Sequence, residues 1–239
     1  EGGTPVAAIR ATGSASATIE CGLILAGEKT TGGTLLEDRF QVPLHRMGLP
    51  IGIRQCDQFF DILATISDRP VPKRYKDQRG RLLDAMVDGH KHLNGLRVAL
   101  FGEEDLVAGL AVFCAELGII PVVCATGGGN GRFEQVILDK VPEQYHDRMR
   151  IMADVDFVTI EKALENTPVD LLIGHSKGYT MSRRLKVPLI RVGFPVHDRV
   201  DGSRLLHLGY RGAQQLFDRI ANTVIQIKQE RSDVGYTYM

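Results

Sequence analysis

The segment Leu96–Thr126 restricts the possible folds more than any other part of the chain. Leu96-Arg-Val-Ala-Leu-Phe101 is a short apolar run ending at Gly102. It lacks a polar face, as a strand buried on both sides does. Glu103-Glu-Asp105 then places carboxylates where a helix amino terminus favours negative charge. Leu106, Leu110, Phe113 and Leu117 recur at i, i+4, i+7 and i+11, a single helical stripe. Gly118 stops the helix, and Ile119-Ile-Pro-Val-Val-Cys-Ala125 opens a second apolar strand. Strand, helix and strand within one short segment make a βαβ unit with parallel strands.

The alternation continues downstream. The pattern predicts helices over Arg132–Leu138, Phe157–Glu165 and Tyr179–Leu185, and strands over Met149–Ala153, Val169–Ile173 and Val187–Val192. Five strands with four intervening helices define an α/β fold, a Rossmann-like doubly wound parallel sheet. A long final helix from Gly209 to about Gln229 carries Ala213, Leu216, Phe217, Ile220, Val224 and Ile227 on one face. The tail Ser232–Met239 has three apolar anchors that suit docking.

The first seventy residues are less regular. Pro5–Ala17 reads as a helix leading to a strand at Thr18–Leu25, Gly27–Gly33 as a loop, and Leu35–Phe40 as a short segment. Val42–Pro50 reads as an extended connection, its prolines disfavouring helix before them. Asp57 is placed to cap a helix through Ile66, and Asp68-Arg-Pro-Val-Pro72 breaks it. A helix over Lys76–Leu93 follows, with Leu82, Leu83, Met86, His90 and Leu93 on its buried side. Its other stripe is Asp77, Arg81, Asp84, Asp88 and Lys91, alternating charges of the kind found on solvated faces. The organisation expected is residues 1–72 as part of a preceding, similar α/β domain, 73–95 as a connecting helix, 96–193 as the parallel-sheet domain, and 194–239 as a closing loop, helix and tail.

Charge balance removes some functions. Lysine plus arginine equals aspartate plus glutamate at 29 each, so there is no bulk field for nucleic acid or an anionic membrane. No apolar run reaches the ~20 residues of a membrane span, and no signal-peptide pattern opens the chain. The start, Glu1-Gly-Gly-Thr-Pro5, resembles the interior of a longer protein. Cys21, Cys56, Cys114 and Cys124 show no C-x-x-C spacing, and two lie in apolar runs, where a thiol behaves as a small hydrophobe. A reducing, cytoplasmic location follows.

Several constellations could carry chemistry. Thr126-Gly-Gly-Gly-Asn-Gly131 could cradle a phosphate through backbone N–H groups, yet it matches neither the dinucleotide fingerprint nor a P-loop. Gly174-His-Ser-Lys-Gly178 spells the nucleophile elbow G-x-S-x-G between a strand and a helix. The acid and histidine of a hydrolase would then be Asp198 or Asp201 with His207, and a plain helix-starting turn is the competing reading. His90 and His92 point roughly 200° apart around a helix and cannot share one metal. The better reading is a surface histidine, His92, beside a core one, His90.

An ordered series of motifs is more specific. Leu49-Pro-Ile-Gly-Ile53, Ile66-Ser-Asp-Arg-Pro-Val-Pro72, Arg79-Gly-Arg-Leu-Leu-Asp84 and Asp88-Gly-His90 are followed by Gly102-Glu-Glu-Asp-Leu106 and Leu172-Ile-Gly-His-Ser-Lys-Gly178. Pro188-Leu-Ile-Arg-Val-Gly-Phe-Pro195, Asp198-Arg199 and Leu208-Gly-Tyr-Arg-Gly212 complete it. Nearly the whole chain resembles the carboxy-terminal half of a beta-class subunit of the nitrogenase component 1 family. That class holds the catalytic beta subunit and the N-type subunit of the scaffold that assembles the iron–molybdenum cofactor.

The resemblance implies a subunit of three Rossmann-like domains, paired with an alpha-type (E-type on the scaffold) partner in a heterotetramer and served by an ATP-dependent iron protein. It implies an iron–sulfur cluster and a cofactor precursor in the full complex, held outside this segment, and a chain that is no stand-alone catalyst. Gly178 reaches Val187 in nine residues, and Val200-Asp-Gly-Ser-Arg204 stands where the catalytic form tends to a histidine-rich run. Both favour the scaffold subunit over the beta subunit of a nitrogenase. A third reading, a small-molecule-binding or transferase protein of doubly wound fold, rests on the glycine loop. One metal site is implied: Asp84 and Asp88, at i and i+4, match a pair that helps bind a divalent cation between two beta chains, with the other ligands upstream.

Overall fold

The computed structural model describes residues 3–24, 30–129, 131–200 and 202–233. In chain order it contains α1 (Val6–Arg10), β1 (Thr18–Cys21), α2 (Gly32–Phe40), β2 (Leu44–Met47), α3 (Gly52–Ser67), α4 (Lys73–Leu93), β3 (Arg97–Gly102) and α5 (Glu104–Glu116). Then come β4 (Ile120–Thr126), α6 (Phe133–Lys140), β5 (Arg150–Met152), α7 (Phe157–Glu165), β6 (Leu171–Gly174), α8 (Tyr179–Leu185), β7 (Leu189–Arg191) and α9 (Gly209–Glu230).

The larger sheet has the order β5-β4-β3-β6-β7, and each neighbouring pair is parallel. Strand order reverses direction between β3 and β6, the switch point of a doubly wound sheet. Val98, Ala99, Leu100 and Phe101 are buried on both faces. Val98 and Leu100 pack with α5, α6 and α9, whereas Ala99 and Phe101 pack with α7 and α8. One irregularity marks the β3–β4 pair: Val98 faces Pro121 but Ala99 faces Val123, leaving Val122 as the extra residue of a bulge. Proline lacks the N–H for a regular ladder, so the bulge sits where it does least damage.

α5 departs from the single stripe expected. Its residues from Glu104 through Cys114 are buried almost all round apart from Leu106, because α3 and α6 cover the side away from the sheet. Glu103 caps it, accepting from Asp105 N and Leu106 N. Gly118 ends the turn at φ +73°, a conformation that strains any residue with a Cβ.

The amino-terminal elements differ more from expectation. Val42–Pro50 is not a plain connection, because β2 lies within it and pairs in parallel with β1 in a separate two-stranded sheet. α2 begins before Leu35 because Thr31 and Thr34 form a capping box, with Thr34 N donating at 3.2 Å and Thr31 N at 2.8 Å. Leu25 of the expected strand, residues 27–29 of the expected loop and most of the expected docking tail lie outside the described residues.

Asp57 does not cap α3, since that helix starts five residues earlier. The free N–H groups of Ile53 and Arg54 donate instead to the Glu116 carboxylate at 2.8 and 3.0 Å, a charge placed at a helix amino terminus. Asp57 accepts from Arg79 Nε at 2.8 Å, Arg79 Nη2 at 2.9 Å and the Tyr210 hydroxyl at 2.6 Å, pinning α3, α4 and α9 together. Phe60 stacks on Tyr210 with ring centroids 5.1 Å apart beside this network.

Candidate functional site

Ligands of doubly wound sheets bind outside the carboxyl ends of the strands, nearest the switch point. Here the ends of β3 and β6 bring together Gly102, Gly174 and the turn His175-Ser-Lys-Gly178. Both glycines of the elbow pattern answer to packing: a Cβ at Gly174 or at Gly178 would overlap the Phe101 ring. Phe101 itself is buried.

Ser176 is buried, and its hydroxyl donates to Asp198 while accepting from His197 N at 3.1 Å. Asp198 also accepts from Arg191 Nε at 3.2 Å and Nη2 at 2.6 Å. The Arg191 and Ser176 hydrogen bonds hold the Asp198 carboxyl well below the usual carboxylate range. A serine held against an ionised carboxylate, with no histidine accepting its proton, is not an activated nucleophile. His207 lies half-buried just before α9, and Asp201 lies outside the described residues. Among the described residues the hydrolase constellation is therefore not assembled, and Ser176 ties β6 to the loop after β7.

His175 sits edge-on to two rings, with centroids 5.8 Å from Phe101 and 5.6 Å from Phe157. Burial, then Lys177 and His197, push its pKa down, which favours the neutral ring. Its Nδ1 has no hydrogen-bond partner among the described residues.

The glycine loop is occupied by the protein itself. Thr126 Oγ1 accepts from Gly128 N at 3.0 Å, and Gly128 O accepts from Asp154 N at 2.7 Å. A Cβ at Gly128 would lie 2.7 Å from Cδ of the buried Glu104. A phosphate seated there would face that carboxylate. This geometry withdraws support from a nucleotide- or phosphate-using transferase.

Asp84 and Asp88 lie on the exposed face of α4, as do Asp77, Arg81 and Lys91. Among the described residues neither carboxylate forms an ion pair, and no group of three or more His, Cys, Asp or Glu is placed to hold a metal. The two histidines of α4 exchange their expected places: His90 is exposed and His92 half-buried. Lys228 of α9 reaches over to donate to His92 O at 3.2 Å.

The cysteines do not fit an iron–sulfur cluster. They occupy β1, α3, α5 and β4, and Cys56, Cys114 and Cys124 are buried. Burial pushes the thiols of Cys56 and Cys114 up to about 12 and raises Cys124 further, whereas cluster ligation needs thiolates that converge. Among the described residues no helix is long and apolar enough to cross a membrane.

The fold and this site together define a Rossmann-like α/β module whose strand ends are closed by their own side chains. A family model of nitrogenase component 1 type oxidoreductases matches residues 1–225. The chain belongs to that family. It is 38% identical over 229 residues to the nitrogenase molybdenum-iron protein beta chain of Methanothermobacter marburgensis, covering 94% of this chain and 48% of that one. The corresponding beta chain of Methanococcus maripaludis is 35% identical over 234 residues, 98% of this chain and 50% of its own. The nitrogenase iron-iron protein beta chain of Rhodobacter capsulatus is 33% identical over 93% of this chain and 48% of its own. Among solved structures, a chain of nitrogenase Cp1 at pH 6.5 superposes with a TM-score of 0.89 at 29% identity, covering 95% of this chain and 49% of that chain. The chain thus spans about half the length of the relatives it matches.

Proposed function

We propose that this chain is the carboxy-terminal part of the N-type, beta-class subunit of the scaffold on which the iron–molybdenum cofactor precursor is matured. The observation that carries this reading is the loop between Asp198-Arg199 and α9, which lacks a histidine-rich run. After Asp198-Arg199 the chain makes one short turn at Gly202–Arg204 before α9 and carries no histidine run. On this reading the segment is structural: it walls one side of the subunit, and the precursor and its iron–sulfur ligands belong to the rest of the complex. Phe194, Val200, Leu206 and Leu208 leave apolar surface exposed on the same segment, which suits association with an alpha-type (E-type) partner in a heterotetramer.

The second reading, a catalytic nitrogenase beta subunit, is favoured by the names of the relatives above. The two separate in one preparation. The full-length subunit is purified anaerobically with its partner and assayed for acetylene reduction with the iron protein and ATP. The scaffold reading predicts bound iron without turnover, and robust ATP-dependent reduction would overturn it.

The same proposal extends to Asp84 and Asp88. Their carboxylates, exposed and without an ion pair among the described residues, support a divalent-cation site shared between two beta-type chains and completed by upstream ligands. Two carboxylates alone bind weakly, so the test is calorimetric titration of calcium or manganese into the full complex, comparing wild type with Asp84→Asn/Asp88→Asn. Identical isotherms would refute the site.

A further inference from the structure

The junction between α4 and β3 contains an Asn-Gly pair, a dipeptide whose glycine has no side chain to shield its nitrogen. Asn94 sits at φ −57° and ψ 128° and Gly95 at φ +81°, and Leu96 N donates to Leu93 O at 3.1 Å. These angles and this bond define a closed type II turn, with glycine at the position that needs positive φ. Two further bonds anchor the turn. Asn94 N donates to His90 O at 3.0 Å, ending α4, and Gly95 N donates to Gly118 O at 2.9 Å. Asn94 and Gly95 are both exposed, and a Cβ built on Gly95 would meet nothing within 4 Å. Water therefore reaches the pair.

In such a pair the backbone nitrogen of glycine can attack the carboxamide carbon of the residue before it. Hydroxide takes the Gly95 N proton, the bond from Gly95 N to Asn94 Cγ forms, and the Cγ–Nδ2 bond breaks. Nδ2 takes a proton from water and leaves as ammonia. Water then opens the succinimide at either carbonyl, giving aspartate or isoaspartate. Ring closure needs Gly95 N on the same side as Asn94 Cβ, which for an L-residue means a strongly negative ψ. At ψ 128° the nitrogen points well away from that side. Rotating ψ to the closing value swings Gly95 N off Gly118 O and pulls Leu96 N off Leu93 O. The reactive geometry and the turn exclude each other.

We propose that Asn94-Gly95 is a gated deamidation site: the folded turn holds it inert, and opening of the α4–β3 junction releases the reaction. The site is independent of the scaffold reading above, since it uses neither the strand ends nor any cluster. Gly118 is the lever on the gate, because at φ +73° a Cβ there would lie 2.6 Å from Asn94 Oδ1. The change runs one way. Isoaspartate inserts a methylene into the main chain, so the turn cannot reclose with its former bonds. Either product adds a negative charge at the carboxyl end of α4, where the helix dipole disfavours it. The junction thus keeps a record of its own openings.

The experiment incubates the full-length subunit in its complex at neutral pH and physiological temperature, and follows aspartate and isoaspartate formation at Asn94 by peptide mapping. Mapping separates this site from Asn130-Gly131, the other Asn-Gly pair of the sequence. A synthetic peptide of residues 88–100 and the urea-unfolded subunit give the ungated rate. The folded chain should react roughly thirtyfold more slowly, the protection of two backbone hydrogen bonds. Gly118→Ala keeps the Asn-Gly pair but crowds Asn94 Oδ1, and should speed the reaction about threefold or more. Hydrogen exchange at the Gly95 and Leu96 amides, read in the same samples, should rise in step with the deamidation rate. Wild type titrated with urea below its unfolding transition gives that correlation without any variant. Equal rates in the folded chain and the peptide would overturn the proposal. So would a rate that stays constant while exchange at these amides rises.

Discussion

Replacing Asp57 with alanine should cost this chain about 3 kcal/mol, and the origin of that cost is specific. Asp57 is the shared acceptor for Arg79 and Tyr210, so its removal strands one hydroxyl and breaks one ion pair. Tyr210 is 4% exposed, and a buried hydroxyl left without its acceptor costs about 1–3 kcal/mol. The Arg79–Asp57 pair is only partly covered, with side chains 40% and 33% exposed, and contributes about 0.5–1 kcal/mol. Together these amount to a fall in melting temperature of roughly 6–12 °C for a chain of this size. Tyr210→Phe removes the hydroxyl with its need for a partner and should cost about 1 kcal/mol. The double variant should cost less than the sum of the singles by about 1 kcal/mol or more. Equilibrium denaturation of the four proteins measures the cycle. An Asp57 that merely capped a helix would also cost about 1 kcal/mol on removal, yet independently of Tyr210. Additive effects would refute the network.

Three further outcomes follow from the packing and the charges. Gly178→Ala should destabilise by about 1–3 kcal/mol by overpacking Phe101, whereas Gly80→Ala, with open space around it inside α4, should stabilise by up to about 1 kcal/mol; thermal melts giving equal effects would contradict this. Because Asp198 titrates below its unfolded value, its contribution is complete above about pH 4 and is lost as pH falls towards the depressed folded value; the stability gap between wild type and Asp198→Asn should close on acidification below about pH 4, and a constant gap would count against the Arg191–Asp198 link. Anaerobic reconstitution of the isolated chain with iron and sulfide should yield no cluster, and stoichiometric iron with charge-transfer absorption would show that the separated cysteines can converge.

The parallel sheet was legible because its signals are local. Each strand from β3 to β7 is a short apolar run, and helices with recognisable stripes or caps separate them. The series of motifs made the family legible over the same stretch. What escaped reading depends on partners far apart in sequence. Asp57 looks like a cap until Tyr210, 153 residues away, is brought beside it. α3 starts at Gly52 because Glu116, more than sixty residues downstream, supplies the acceptor for its first N–H groups. His90 and His92 exchange burial because the position of α9, which α4's own periodicity does not encode, determines which side is covered. The letters of Gly174–Gly178 spell an elbow, but the glycines answer to the bulk of Phe101, a residue on another strand.

The scaffold assignment is tested most directly in cells whose gene for the full-length protein has been deleted. Extracts of such cells are assayed for acetylene reduction before and after addition of purified iron–molybdenum cofactor. A scaffold subunit is needed only to make the cofactor, so the extracts should be inactive alone and regain activity when the cofactor is supplied. Extracts that stay inactive with cofactor, but recover when intact component 1 is added, would contradict the account and identify the chain as part of the catalytic protein.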